Sequence, residues 1–127
     1  MKKEEELLKR RALDFLNNAK ELFRKKIFDI SSFNIEQFCQ LYLKYKLFKK
    51  VGEFPKTHSI RDLLVELGKV SKKKNEIEKF LKSNISVIKN LENAYITSRY
   101  IPIEFEELEV EEMLKFARNF RKFVEKL

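Results

Sequence analysis

The single histidine, His58, stands in Thr57-His58-Ser59-Ile60, just ahead of a short apolar-periodic stretch. It is the one side chain here whose ordinary titration falls near neutral pH. Its imidazole can donate to a carbonyl, meet a ligand, or pack a turn. Ser98-Arg99-Tyr100 lies where a longer periodic stretch gives way to Ile101-Pro102. Loops held on rigid helices are frequent binding places. A guanidinium offers a planar fork of donors that suits phosphate, and a tyrosine adds a stacking face and a hydroxyl. The plainer reading has Arg99 capping the last carbonyls of a helix and Tyr100 filling a bundle rim. Gln37 and Lys44 are seven residues apart, so on a helix they project from the same side. They form either part of a polar site or a half-buried ladder at a helix interface.

Other constellations have plain readings. Lys72-Lys73-Lys74, with Lys69 nearby, has the charge of a phosphate-binding patch, but such patches act through charge alone. A solvated linker explains the run equally well. Six acids crowd into Glu104–Glu112; at a helix start they offset the dipole, and this is a plainer role than metal binding. One Cys and one His leave no zinc site of the usual ligand spacings, and no Ser-His-Asp set can be assembled. With two Gly and neither GxGxxG nor GxxxxGK[ST], the dinucleotide and P-loop cradles are excluded. No cofactor is expected.

Positioning these residues falls to helices. Leu8, Ala12, Phe15, Leu16, Ala19, Leu22 and Phe23 form one stripe over residues 4–27, with Lys, Arg and Glu opposite. Asp29, Ser31 and Ser32 can each accept from a free helix N–H, so a second helix is predicted to start there and to stop at Gly52. Its apolar residues, Phe38, Leu41, Leu43, Tyr45, Phe48 and Val51, are broad for one stripe. Such a helix usually has two neighbours, here the bundle and a second subunit. A short helix is predicted over about 60–67, ended by Gly68, and a long one over about 75–97. Pro102 holds Ile101 in an extended shape. A last helix carries Val110, Met113, Leu114, Ala117, Phe120 and Val124. Long helices with short connections predict an all-α fold, an up-and-down four-helix bundle with an additional short helix.

Length and composition agree. The 127 residues suit one domain, 1–127, and two Gly and two Pro are too few for an all-β chain. The net charge of +8 permits a polyanionic partner. The charge is uneven, because residues 104–127 hold five basic and seven acidic side chains. Cys39 has no second cysteine to pair with, which suits a reducing compartment. The opening MKKEEELLKRR lacks the apolar stretch of a signal peptide, and no apolar run reaches the 18 or so residues of a membrane span. The expectation is a cytoplasmic protein with no membrane contact.

The stretch ALDFLNNAKELFRKKIFDISSFNIEQFCQLYLKYKLFKKVGEFPKTHSIRDLLVEL and the later LENAYITSRYIP resemble the prokaryotic HEPN domain (higher eukaryotes and prokaryotes nucleotide-binding). The similarity lies in the Phe-Asp turn ahead of a Gln-containing helix, the Lys seven residues after that Gln, Thr-His-Ser-Ile opening a short helix, and Ser-Arg-Tyr with a nearby Pro. It spans about residues 12–126. The resemblance implies a bundle of four or five helices that forms homodimers, often paired with a minimal nucleotidyltransferase in toxin–antitoxin-like systems, with nucleotides bound by some members. Carried over by position, Gln37, Lys44, His58, Ser98, Arg99 and Tyr100 would form a nucleotide pocket, with Lys44 and Arg99 on phosphate. Other members are metal-independent ribonucleases that carry an Arg followed four to six residues later by a His. Here Arg24 is the nearest Arg before His58, and no His follows Arg99. Where small residues and a Glu often follow the Gln, this chain has Phe38, Cys39 and Gln40. The implied role is therefore a binding and interaction protein, and no catalytic residue is assigned. An RNA-cleaving toxin built around His58 and Arg99, or a nonspecific nucleic-acid binder, are the alternatives.

Overall fold

The computed structural model describes residues 2–100 and 104–127, and for Thr97, Ser98 and Arg99 the backbone alone. Its elements are α1 (Lys2–Arg24), α2 (Phe28–Val51), α3 (Ile60–Ser71), α4 (Lys74–Ser83), α5 (Ile85–Tyr100) and α6 (Glu107–Glu125), with no strand among the described residues. The fold is all-α, as predicted.

The stripe of α1 buries Ala12, Leu16 and Ala19 against α2. A turn with Lys26 in the left-handed region (φ 60°) ends α1. The Ile27 N–H reaches back to Leu22 O (2.9 Å) and that of Lys26 to Phe23 O (3.0 Å), which satisfies the last carbonyls. Gly52 stops α2 as predicted, in the left-handed conformation (φ 76°), with its N–H on Phe48 O.

The start of α2 differs from expectation. Ile27 takes the N-cap position, with no side chain capping it. Ser31 instead donates to Ala19 O (2.8 Å), and Ser32 to Asp29 O (2.6 Å). Asp29 accepts the Phe105 N–H (2.9 Å), tying the segment before α6 to the head of α2. All three polar side chains serve tertiary or internal contacts.

Helix α2 is the central post. It packs against α1, α3, α5 and α6 of its own chain, so its broad apolar surface needs no second subunit to explain it. One strip stays half-exposed, formed by Phe33, Gln37, Leu41, Lys44 and Phe48. Helix α6 ascends beside α2 in the same direction. Phe105 meets Asp29, Phe120 meets Phe38 (ring centroids 6.0 Å apart), and Glu125 meets Tyr42. A parallel second and last helix is what an up-and-down order gives.

Two boundaries move. Helix α3 runs past Gly68 to Ser71 and ends with Lys72 left-handed (φ 57°). Gly68 is there for proximity, since a Cβ would lie 2.7 Å from Ile77 Cγ1 of α4. The predicted 75–97 helix is two helices. At Asn84 the backbone leaves helical angles (φ −124°, ψ 22°), and its side-chain amide (2.8 Å) joins its own N–H (3.1 Å) on Phe80 O. The break frees α4 to set Phe80 flat on Phe123 of α6, with centroids 4.2 Å apart and planes 7° apart.

Candidate functional site

The half-exposed strip of α2 carries a polar network where α2 meets the head of α3 and the side of α5. Its root is Glu36, fully buried. Gln37 Nε2 donates to Glu36 Oε1 (2.9 Å), and Gln40 Nε2 donates to Glu36 Oε2. One turn of helix brings positions 36 and 40 together. Gln40 must point its NH2 at the carboxylate, so its Oε1 faces His58 Nδ1, 3.4 Å away. That contact is attractive only when Nδ1 carries the proton. In the neutral ring Nε2 is then a lone-pair acceptor.

The imidazole is also oriented by stacking. Its centroid lies 5.2 Å from that of Tyr95, with planes 22° apart, and Tyr95 in turn stacks on Phe33 at 6.4 Å. His58 is the outermost ring of this column and is exposed. The backbone beneath it is fixed on both sides. Thr57 Oγ1 accepts the Ser59 N–H (3.1 Å), and Ser59 Oγ caps α3 by accepting the Asp62 N–H (3.1 Å). The same hydroxyl donates to Glu92 of α5 (3.0 Å), which pairs with Arg61 (3.8 Å).

Lys44 lies one turn beyond Gln40, with Nζ 5.5 Å from the centre of the Phe54 ring. Burial holds its pKa below the ordinary value of 10.5, and the Glu36 charge opposes that shift. A partly desolvated ammonium gains more from an arriving anion than a hydrated one. Cys39, behind the network, is fully buried. Burial first and Glu36 second push its thiol well above its ordinary value, which makes it inert core.

Of the six residues proposed from sequence, the structure links Gln37 and His58 through Glu36 and Gln40, and sets Lys44 one turn along the same helix within the field of Glu36. Tyr100 is the last residue of α5 and is 71% exposed. The side chains of Ser98 and Arg99 lie outside the described residues. Sequence reasoning missed Glu36, Gln40 and Tyr95. No local signal marked them, because Asn34, Glu36, Gln37 and Gln40 all interrupt residues 33–43, and which of them is buried depends on the helices that pack there. Among the described residues no group of three or more His, Cys, Asp or Glu is placed to hold a metal. No described helix is long and apolar enough to cross a membrane.

A small all-α bundle with one central helix, whose carboxylate is the single deep one among the described residues and is clamped by two amides under an exposed imidazole, is the class the fold and site define. The HEPN domain family model matches residues 5–127, and the chain belongs to that family. At family level it is a nucleotide- or RNA-related helical protein. No curated protein and no solved structure matches the chain.

Proposed function

We propose that this chain is a nucleotide-binding HEPN subunit, working as a homodimer beside a minimal nucleotidyltransferase in a toxin–antitoxin-like pair. The observation that carries the nucleotide reading is the Glu36–Gln40–His58 network set next to Lys44. It joins an exposed aromatic column, a fixed hydrogen-bond acceptor and a half-buried cation on one strip. A base stacks on the outer face of His58, and its amino group donates to Nε2. Lys44 takes phosphate, and Arg99, carried over from the family pattern, is the second cation. The dimer reading is supported by the same strip, where Phe33, Leu41 and Phe48 remain half-exposed. A second copy placed there would close the site from above.

The test is a thermal-shift series with saturating mononucleotides. A ligand at about 100 times its dissociation constant adds about 2.7 kcal/mol, a rise of several degrees for a domain of this size. The rise should shrink in His58→Ala and in Lys44→Ala. If no nucleotide raises the midpoint, the nucleotide reading fails. A monomeric mass in solution at all concentrations would remove the dimer, and failure of a co-expressed nucleotidyltransferase to copurify would remove the pairing.

A further inference from the structure

A second group of cations lies between α1 and α6, away from His58. Between α1 and α6 runs a slot of about 280 Å³ lined by Leu16, Lys20, Leu114, Arg118 and Arg121. Leu16 and Leu114 form an apolar floor, and the three cations form the walls. Lys20 and Arg118 are exposed and make no hydrogen bond or ion pair with the described residues. Unpaired cations over a recessed apolar floor fit a ligand with an anionic edge and an apolar body.

The slot does not stand alone. Lys9 lies on the same face of α1 as Lys20, eleven residues back. That distance is about three turns, or roughly 16 Å. Its Nζ sits 5.6 Å from the centre of the Tyr45 ring, and Lys49 sits 6.0 Å from the same ring. Burial and the charges of Lys50, Lys49 and Lys9 hold the Lys46 pKa below its ordinary value, and Glu125 alone opposes them. Glu125 is already shared, accepting from Tyr42 Oη (3.1 Å) and from Arg121 Nε (3.2 Å). Glu4 and Glu5, at the head of α1, offset the helix dipole there. The end of the bundle is thus a pole of mutually repelling lysines, continuous with the slot.

We propose that this slot and the lysine pole form a track for single-stranded nucleic acid, held by its phosphates. The cations are strung along one line rather than gathered in a point, so the ligand they suit is a chain of charges. A lipid surface is disfavoured, because the apolar groups lie recessed in the floor instead of projecting from a ridge. Tyr45 is 7% exposed and its ring is flanked by two ammonium groups, so no base stacks on it. Binding is therefore insensitive to sequence. The track shares no residue with the His58 site, which is built by α2, the head of α3 and α5.

The experiment is fluorescence anisotropy with a labelled oligouridylate of about 15 nucleotides, a length near the upper end of single-strand site sizes, and the matching oligothymidylate. Salt is stepped from about 50 to 200 mM. Wild type should bind both strands with a linear log–log salt dependence. Lys20→Gln/Arg118→Gln replaces two solvent-facing, unpaired cations, so folding is preserved. It should weaken binding and flatten the slope by about 0.7 for each cation removed. Lys72→Gln/Lys73→Gln/Lys74→Gln should leave affinity and slope nearly unchanged, and His58→Ala should do the same. The proposal is overturned if the two cation variants lose equally, if neither strand binds at the lowest salt, or if only phosphatidylserine vesicles bind. The double variant should keep the nucleotide-induced thermal shift, so either site can fail without the other.

Discussion

Helices α2 and α6 run side by side in the same direction, yet they are built on opposite plans. Helix α6 is a clean amphipath, with Val110, Met113, Phe116, Ala117, Phe120 and Val124 buried and the charges outside. Helix α2 buries residues on nearly every side, including Ser31, Ser32, Asn34, Glu36 and Gln40. Hydrophobic burial is roughly proportional to area and has no direction, so α6 can supply stability without specifying any one contact. A buried polar group costs free energy unless it finds its partner. The first half of α2 therefore demands one particular arrangement of α1, α3 and α5 around it. The site grows where that demand is strongest.

Truncating the shared apolar contact should have the largest effect, and it should not tell the two helices apart. Phe38 of α2 and Phe120 of α6 are both fully buried and meet edge to face. Phe38→Ala and Phe120→Ala should each cost about 3–5 kcal/mol. The double variant should cost less than the two together, because the rings share one contact. Urea unfolding measures all three. Strict additivity would show that α2 and α6 do not rely on each other there.

Removing a carboxylate should separate the helices. Glu36→Ala strands the buried amide of Gln40, at about 1–3 kcal/mol for a buried unsatisfied group, and leaves that of half-exposed Gln37 to water. It also releases His58 from its fixed tautomer, which the imidazole ¹⁵N shifts report. Glu111→Ala on α6 breaks only an exposed pair with Lys115 (3.7 Å). Such pairs contribute at most about 1 kcal/mol. Equal losses at the two positions would mean that Glu36 is one more surface-like charge.

Where the two helices meet, pH should read the junction. Burial, then the hydrogen bond and charge of Glu125, push the Tyr42 hydroxyl from its ordinary 10.0 up to about 12, with Arg121 pulling weakly the other way. The folded state therefore holds this proton more tightly than the unfolded chain does. The contribution is fully present below about pH 10 and is lost as pH rises towards 12. Stability should fall across that window in wild type, and the Tyr42 part of the fall should vanish in Tyr42→Phe. If the ultraviolet titration difference between wild type and Tyr42→Phe placed the Tyr42 step at its ordinary 10.0, the buried junction would be contradicted.

The same contrast explains what the sequence made legible. Period-3.6 stripes gave α1 and α6, and Gly52 gave the end of α2, because those features are local. The break at Asn84 was hidden, since an Asn inside a periodic run is tolerated and does not by itself announce that its backbone will leave helical angles, as here. Gly68 misled for a tertiary reason, the closeness of Ile77. Ser31 and Asp29 read as caps and proved to be cross-links. At the site, Gln37, Lys44 and His58 could be found by spacing and resemblance. Glu36 and Gln40 acquire meaning only once α3 and α5 close over them.

The smallest effect should come from the helix starts, where local and tertiary devices can be compared directly. The head of α6 is satisfied by its own sequence, with Glu109 Oε1 accepting the Glu106 N–H at 2.9 Å. Losing such a contact costs about 0.5–1 kcal/mol. Glu109→Ala should accordingly speed hydrogen exchange in the first turn of α6 and leave α2 untouched. The head of α2 has no side-chain cap and depends on partners elsewhere in the chain. Asp29→Ala removes the acceptor of the Phe105 N–H, so its effect should appear at two places, in the first turn of α2 and in the segment leading to α6. If exchange quickens only beside the substituted residue in both variants, then α2 is capped as locally as α6. The division between a self-sufficient helix and one specified by its neighbours would then not hold at their starts.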